Sequence, residues 1–288
     1  MTDGDTDADA GWFAGDDPVD RVRTGSASAP ADWPELAVEA GAASDREDYY
    51  RRLKEATTEA ARAAVAERER ADDRQLLHAV RAMDDADRTA NELSERLAEW
   101  AGSVYDESGS GVEYAREVAG REPDGPTEER VGSLATRIVE LTEEARDLEA
   151  FIESRGPVAA PNLSALAGPV LAARLISLAG GLEPLAKKPS GTLQVLGAED
   201  ALFAHLRGHA PSPKHGVIYT HDYVRGTRAE DRGSAARALA GKLTIAARID
   251  HYSGDLRPDL EADLDERMRT IRARGEGGVD GSEEATDG

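Results

Sequence analysis

The chain has 288 residues, a formal net charge of −22 and no cysteine. The lack of cysteine excludes disulfides, thiolate metal sites and a cysteine nucleophile. No run of about 18 apolar residues occurs, so the sequence predicts no membrane-spanning helix. The start, "MTDGDTDADAG", lacks the basic and apolar stretches of a secretory signal. These features together predict a cytoplasmic protein.

The charged residues are unevenly distributed along the chain. Thirty of the 35 basic residues are Arg, and 57 residues are acidic, a balance typical of proteins adapted to molar salt, where charge repulsion is screened. Residues 156–250 are the exception, because they hold eleven Lys or Arg against seven Asp or Glu. A basic island in so acidic a chain favours a polyanionic partner.

The first 34 residues are rich in Asp, Gly, Ala, Ser and Pro, and their composition predicts that most of them are mobile. The exceptions are Trp12, Phe13 and Trp33, which are able to dock elsewhere. The stretch "SDREDYY" then predicts a helix with Ser44 or Asp45 as its N-cap. Residues 1–70 are therefore predicted to form a short, partly disordered N-terminal region.

Residues 71–155 have the periodicity of paired helices. Apolar residues recur at steps of three or four over 72–104 and again over 131–152, where Thr127 is the predicted cap. Glycine and proline interrupt the pattern over 106–127. We predict an antiparallel coiled coil whose exposed ends pair with a second copy to make a homodimer. The seam and dimerisation residues are Leu93, Leu97, Trp100, Leu134, Ile138 and Leu141.

Residues 156–274 are predicted to form a compact, all-helical domain, so the fold class is mainly α. Gly156 and Pro157 are expected to end the second long helix, and Asn162 to cap one buried apolar helix, "LSALAGPVLAARLISLAGG". Gly197 is expected to open a further helix. The last predicted helices cover 233–249 and 258–274, and an acidic, disordered tail of 275–288 follows.

Most enzyme classes have no motif in this chain. Neither G-x-G-x-x-G nor a P-loop is present, and no nucleophile elbow accompanies the serines. His209, His215 and His221 are six residues apart, which is not the spacing of a helical zinc site. We predict no cofactor, no metal and no catalytic residue. An enzyme acting on RNA through His215 or His221 remains the alternative from a different class.

A nucleic-acid partner fits the basic island better. Lys214 and His215 lie in a short loop, and a helix starting at Gly197 would offer backbone N–H groups to phosphate. Glu199 would accept from a base amine or a ribose hydroxyl. The cations that would reach neighbouring phosphates or bases are Arg237, Lys242 and Arg248.

The stretch from "APNLSALAGPVLAARLISLAGG" to "PKHGVIYTHDYV", with "RGSAARALAGKLTIAARID", resembles a Nop domain over most of 156–252. It is similar to the archaeal Nop scaffold of box C/D guide ribonucleoproteins. Upstream, "DDRQLLHAVRAMDDADRTANELSERLAEW" resembles the first coiled-coil helix of that family, and "SDREDYYRRLKEA" resembles the segment leading into it.

This resemblance implies a non-enzymatic scaffold. It would bind kink-turn guide RNA together with a small, ribosomal-like kink-turn protein, and it would self-associate through its coiled coil. Its N-terminal region would hold fibrillarin, the methyltransferase that modifies the 2′-hydroxyls of rRNA or tRNA. The family's RNA-facing positions correspond to Lys187, Gly197, Ala198, Glu199, Lys214, His215, Arg237, Lys242 and Arg248.

The sequence departs from the family pattern in several places. Asp200 stands where a lysine is usual, the linker over 106–127 is short, and the C-terminal tail is acidic instead of lysine-rich. The region before the coiled coil is also short for a fibrillarin-binding domain. The alternative function is therefore an adaptor that binds the kink-turn ribonucleoprotein without recruiting the methyltransferase.

Overall fold

A computed structural model describes residues 11–276, and the chain divides into two compact units between Ala71 and Asp72. All regular elements in the described range are helical, which confirms the mainly α fold class. None of the single helices there has the length and apolar composition needed to cross a membrane.

The N-terminal unit contains α1 (Pro18–Thr24), α2 (Trp33–Glu39) and α3 (Arg46–Arg70). The predicted start of α3 is confirmed, because the Asp45 carboxylate accepts the Asp48 N–H at 2.8 Å.

Trp12, Phe13 and Trp33, the exceptions within the first 34 residues, do dock, and Pro18–Thr24 is helical; the mobility of the other residues of this stretch stays a prediction. Trp12, Phe13 and Trp33 pack against the buried cluster of Ala37, Ala43 and Tyr49, of which Tyr49 is only 4% exposed. The ring centroid of Tyr49 lies 5.7 Å from that of Trp12 and 6.4 Å from that of Phe13. A few aromatic rings bury enough apolar surface to order a segment whose overall composition is polar. The part of this expectation that concerns residues 1–10 lies outside the described residues.

Two long helices, α4 (Asp72–Ala101) and α6 (Pro126–Ala159), form an antiparallel pair. Leu76 and Met83, near the start of α4, share a buried cluster with Ile152, near the end of α6. At the other end of the pair, Leu97 packs with Ile138 in a second cluster. The antiparallel arrangement agrees with the periodicity of the sequence, and the supercoiling of a true coiled coil stays a prediction.

The connection between these helices is more ordered than its glycines and prolines suggested. It contains α5 (Gly111–Ala119), which buries Tyr114, Ala115 and Val118 at the distal end of the hairpin. The following helix begins at Pro126, not at Thr127, and Gly125 occupies its N-cap position. Proline is favoured in the first helical turn because its φ is already helical and its missing N–H would have had no partner there.

The predicted end of α6 at Gly156 is wrong, because the helix continues through Pro157 to Ala159. Gly156 is buried, and a Cβ at this position would lie 2.9 Å from the Cβ of Pro169. The glycine therefore permits a close approach of the next segment instead of ending the helix. The predicted domain boundary at 155/156 falls inside this continuous helix.

The apolar stretch after α6 is two helices, not one. α7 (Pro161–Ala167) and α8 (Pro169–Ala179) meet at an angle of 118°. The turn lies at Gly168, whose φ of +77° favours glycine, and Pro169 then opens α8.

Asn162 does not cap α7 as predicted. Asp250 supplies the cap instead, since its carboxylate accepts the backbone N–H groups of Asn162 at 2.9 Å and Leu163 at 2.8 Å. The side-chain amide of Asn162 donates to the same carboxylate at 2.6 Å.

Most of the remaining helices pack against one long helix. In chain order they are α9 (Leu182–Lys187), α10 (Ser190–Val195), α11 (Glu199–Leu206), a 3₁₀ turn (Val217–Thr220), α12 (Asp222–Arg225), α13 (Arg232–Tyr252) and α14 (Asp259–Glu276). α13 is this long helix, and Ala236, Leu239 and Leu243 on its buried face are fully inaccessible. The predicted disordered tail begins within α14, and its residues 277–288 lie outside the described range.

The close contact at Gly156 gives a stability prediction. Gly156→Ala should lower the free energy of unfolding by about 1–3 kcal/mol, because the added methyl forces α6 away from the start of α8. Gly132→Ala, in the same helix, should raise it by up to about 1 kcal/mol, because a Cβ there meets no atom within 4 Å. Urea unfolding followed by circular dichroism measures both. Equal effects of the two substitutions would contradict the packing argument.

Candidate nucleic-acid interface

The three predicted cations of α13 do not share one face. Arg237 and Arg248 are both exposed and are eleven residues apart, which is about three helical turns. Lys242 is rotated by about 140° from Arg237, and its Nζ lies 2.7 Å from the Asp263 carboxylate of α14. The structure therefore brings the two arginines to one face and assigns Lys242 to an ion pair with the next helix.

The end of α9 adds to the face that carries Arg248. The Arg248 guanidinium donates to the carbonyl of Ala186 at 3.2 Å, and the exposed Lys187 is the next residue. Lys187 lies 2.6 Å from the Glu183 carboxylate, which raises the pKa of the lysine. Its charge is thus largely balanced by its own helix.

The loop that carries Lys214 and His215 is fixed by backbone contacts. The N–H of Gly216 donates to Gln194 at 2.9 Å, and the N–H of Val217 donates to Leu196 at 2.8 Å. A Cβ at Gly216 would lie 2.0 Å from the Leu196 carbonyl oxygen, so this approach requires glycine. The Lys214 side chain is exposed and runs past Gly233, at the start of α13.

His215 belongs to a stacked cluster that sequence reasoning found only in part. Its ring lies 4.6 Å from that of Tyr219 at an interplanar angle of 22°, and the Arg232 guanidinium lies 5.5 Å from the same tyrosine ring. Burial, followed by the charges of Arg232 and Lys214, lowers the pKa of His215. Arg232 was missed, because thirteen residues separate it from Tyr219 and no local pattern joins them.

The start of α11 differs from the predicted phosphate site. The Glu199 carboxylate accepts the Gly197 N–H at 2.9 Å, and the Ala198 N–H donates to the Val195 carbonyl at 2.9 Å. The helix thus begins at Glu199, not at Gly197 as predicted, and the N–H groups of Gly197 and Ala198 already have partners within the chain; a phosphate contact at this helix start stays a prediction. The Glu199 side chain thus binds the backbone just before its own helix, where Gly197 makes a turn with φ of +83°.

Both ring nitrogens of His221 form hydrogen bonds to the backbone. Its Nδ1 accepts the Tyr223 N–H at 3.1 Å, so Nδ1 carries no proton, and Nε2 lies 3.0 Å from the Leu166 carbonyl oxygen, to which it donates. Burial lowers the pKa of this imidazole. Among the described residues, no cluster of three or more His, Asp or Glu has the arrangement of a metal site.

This hydrogen-bonding pattern predicts a dependence of stability on pH. A histidine whose folded pKa lies below its unfolded value contributes stability above the unfolded pKa, near 6.5, and loses it as the pH falls from there towards the folded pKa. The melting temperature should therefore fall between about pH 7.5 and 5.5. His221→Asn, which keeps an acceptor for the Tyr223 N–H, should reduce this fall.

The control for that experiment is His209→Asn, because His209 is exposed. Thermal melts followed by circular dichroism at several pH values measure all three proteins. If His221→Asn and His209→Asn keep the full wild-type pH dependence, the assigned role of His221 is incorrect.

Comparison with known proteins identifies relatives of this chain. It is 33% identical over 273 residues to an uncharacterized NOP5 family protein of Methanocaldococcus jannaschii, a match that covers 82% of this chain and 66% of the relative. It is 41% identical over 125 residues to nucleolar protein 56 of Schizosaccharomyces pombe, covering 43% of this chain and 25% of the relative. The chain thus spans less than two thirds of the length of these curated relatives.

A solved structure and a family model extend the similarity. The chain is similar to one in the crystal structure of a fibrillarin/Nop5p complex, with a TM-score of 0.53, 28% identity, and coverage of 90% of this chain and 93% of that one. The family model described as "Nop: snoRNA binding domain, fibrillarin" matches residues 42–270. This match takes in α3, the helical hairpin of α4 and α6, and the domain that carries the exposed Arg237 and Arg248 (the basic face). The chain accordingly belongs to the Nop family.

Proposed function

We propose that this chain is a non-enzymatic, RNA-binding scaffold of a box C/D ribonucleoprotein. It would bridge kink-turn guide RNA, the ribosomal-like kink-turn protein and fibrillarin, so that fibrillarin methylates 2′-hydroxyls of rRNA or tRNA. The observation that carries this proposal is the similarity over 90% of the chain to a protein solved in complex with fibrillarin. The acidic composition supports a salt-adapted, archaeal cytoplasm as its setting.

The distribution of ion pairs supports particular RNA contacts. Arg237, Arg248 and Lys214 are exposed, and no described carboxylate lies within ion-pair distance of them. Lys187 and Lys242, in contrast, are held by Glu183 and Asp263. In a chain with a net charge of −22, the three unneutralised cations are the ones that attract phosphate. Arginine adds planar, bidentate hydrogen bonding to this attraction.

The N-terminal unit supports fibrillarin recruitment over the adaptor alternative. Residues 11–71 contain three helices and a small buried cluster of Ala37, Ala43 and Tyr49, which supports a folded unit there. The match to the chain from the fibrillarin complex spans more than half of this unit, because only a tenth of the whole chain lies outside it. The motive for the adaptor alternative is the shortness of the unit.

We also propose a homodimer that forms through the distal end of the hairpin. Leu97 and Ile138 are fully buried within one chain, so they stabilise the hairpin and do not face a second copy. Trp100 is 41% exposed beside them and is the apolar side chain best placed for such a contact. The half-buried residues Leu93, Leu134 and Leu141 would lie at its border.

The RNA contacts give a quantitative prediction. Arg237→Ala/Arg248→Ala should weaken binding of the kink-turn RNA–protein complex by about tenfold or more, because a charged hydrogen bond contributes roughly 1.5–3 kcal/mol. The slope of log K against log salt should become shallower by about 2. Fluorescence anisotropy over a KCl series measures both quantities.

The matched control is Lys242→Ala. It should change the affinity far less, because Lys242 already pairs with Asp263. An unchanged salt slope in the double variant, or an equal loss in Lys242→Ala, would contradict the assignment of the two arginines.

Reconstitution tests the complete proposal. The full chain is mixed with fibrillarin, the kink-turn protein, a guide RNA and S-adenosylmethionine, and methylation of the paired target is measured. Methylation at the guided ribose that depends on this chain is the expected result. RNA binding without methylation would favour the adaptor, and turnover of RNA by this chain alone would favour the enzyme alternative.

A further inference from the structure

Two exposed apolar side chains lie on the same side of α13 as the arginines of the basic face. Ile245 is 41% exposed and Tyr252 is 69% exposed, whereas the opposite side of this helix is buried. At about 100° per residue, Ile245, Arg248 and Tyr252 all lie within about 80° of Arg237 around the helix axis. Cations and apolar side chains therefore alternate along this side of α13.

The surroundings of Tyr252 are basic. Glu183 and, to a smaller extent, Tyr252 raise the pKa of Lys187, so the tyrosine lies close to that ammonium group. Arg248 is one helical turn away, and its two terminal nitrogens have no hydrogen-bond acceptor among residues 11–276. The only acid of α13, Asp250, is buried and already accepts the N–H groups that begin α7. No carboxylate of this helix therefore competes with a phosphate for Arg248.

The ring of Tyr252 is oriented by a neighbour and is otherwise open. Its centroid lies 4.6 Å from that of the His251 ring, at an interplanar angle of 60°. None of the other described Phe, Trp or Tyr side chains is as exposed. Proteins bind single-stranded nucleic acids by combining cations that follow the backbone with aromatic side chains on which bases stack. This side of α13 has both components.

We propose that this side of α13 binds a single-stranded RNA segment that continues from the kink turn, with one base stacked on Tyr252 and its phosphate held by Arg248. The segment is single-stranded there because a base inside a duplex has its faces covered by its neighbours. In a chain with a net charge of −22, the unneutralised arginines favour a polyanion over a protein as the occupant.

The length of the helix shows how far this segment has to extend. Fifteen residues, or about 22 Å, separate Arg237 from Tyr252, so RNA held at Arg237 must continue along α13 to reach the ring. This inference rests on the proposed function, because the kink turn must first bind at the other end of the same face.

The test compares kink-turn RNAs with and without a single-stranded extension. One RNA ends at the kink turn, and two others carry about six extra nucleotides at one strand end or the other, a length that a single-strand site can cover. Each RNA is bound to the kink-turn protein, and its affinity for the full chain is measured by anisotropy. One extension should raise the affinity of the wild-type chain by about tenfold, the gain typical of one stacked base.

The protein variants assign this gain to the ring. Tyr252→Ala should lose the gain and bind the unextended RNA like the wild type. Tyr252→Phe should keep it, because stacking does not require the hydroxyl. An extension without bases should give little gain, which separates stacking on Tyr252 from the attraction of phosphate by the arginines.

The matched control is Tyr50→Ala, since Tyr50 is a 52% exposed tyrosine of the N-terminal unit. It should keep the full gain, and thermal melts establish that all variants are folded. The proposal is overturned if neither extension raises the affinity of the wild-type chain, if the gain survives in Tyr252→Ala, or if the extension without bases gives the same gain.

Two further results would also overturn it. If Tyr252→Ala weakens binding of the unextended RNA as strongly, the ring contacts the kink-turn complex itself. If Tyr252→Ala changes the oligomeric state of the free chain in sedimentation, the ring belongs to a protein contact. Failure of the wild-type chain to bind the unextended complex would instead refute the proposed function, and this inference with it.

Discussion

Two carboxylates on long helices hold the short helices of the C-terminal helical domain in place. Asp250, in α13, caps α7 from 88 residues away, and Asp73, in α4, accepts the Leu182 N–H of α9 at 2.9 Å. Helices of six or seven residues are unstable by themselves, so their positions depend on such contacts and on packing. Lys187 belongs to α9, and the Arg248 hydrogen bond to Ala186 joins α9 to α13, so the placement of α9 also sets the spacing of Lys187 and Arg248.

Two of the three Gly-Pro dipeptides, at 156 and at 168, have opposite effects on the helix around them, which marks a limit of prediction from local sequence. At Gly156 the helix continues, because the missing side chain lets α8 approach; at Gly168 the backbone takes a positive φ and the chain turns. The long helices were predictable because their apolar spacing repeats over many turns. Whether the helix continues or turns at each glycine depends on which residues pack against it in the fold, and the local sequence does not specify them.

In the candidate site, too, some features follow from local sequence and others only from tertiary packing. Its cations were recognisable as a basic island, and the pairing of Lys187 with Glu183 follows from their spacing of four residues on a helix. The pairing of Lys242 with Asp263 does not, since it joins two helices whose contact only the fold creates. Arg232 became part of the site for the same reason. The sequence therefore predicted a basic surface, whereas packing between helices determined which of its cations have no carboxylate partner.

The continuous path of α6 has a mechanical consequence. A straight helix of 34 residues is about 50 Å long, and this one passes from the distal end of the hairpin to the C-terminal helical domain without a break. The tight contact of Gly156 with Pro169 locks its last turn to α8. The hairpin and the following domain thus share one continuous helix, so a displacement of the distal end is passed to the domain through α6 and its packing on α8.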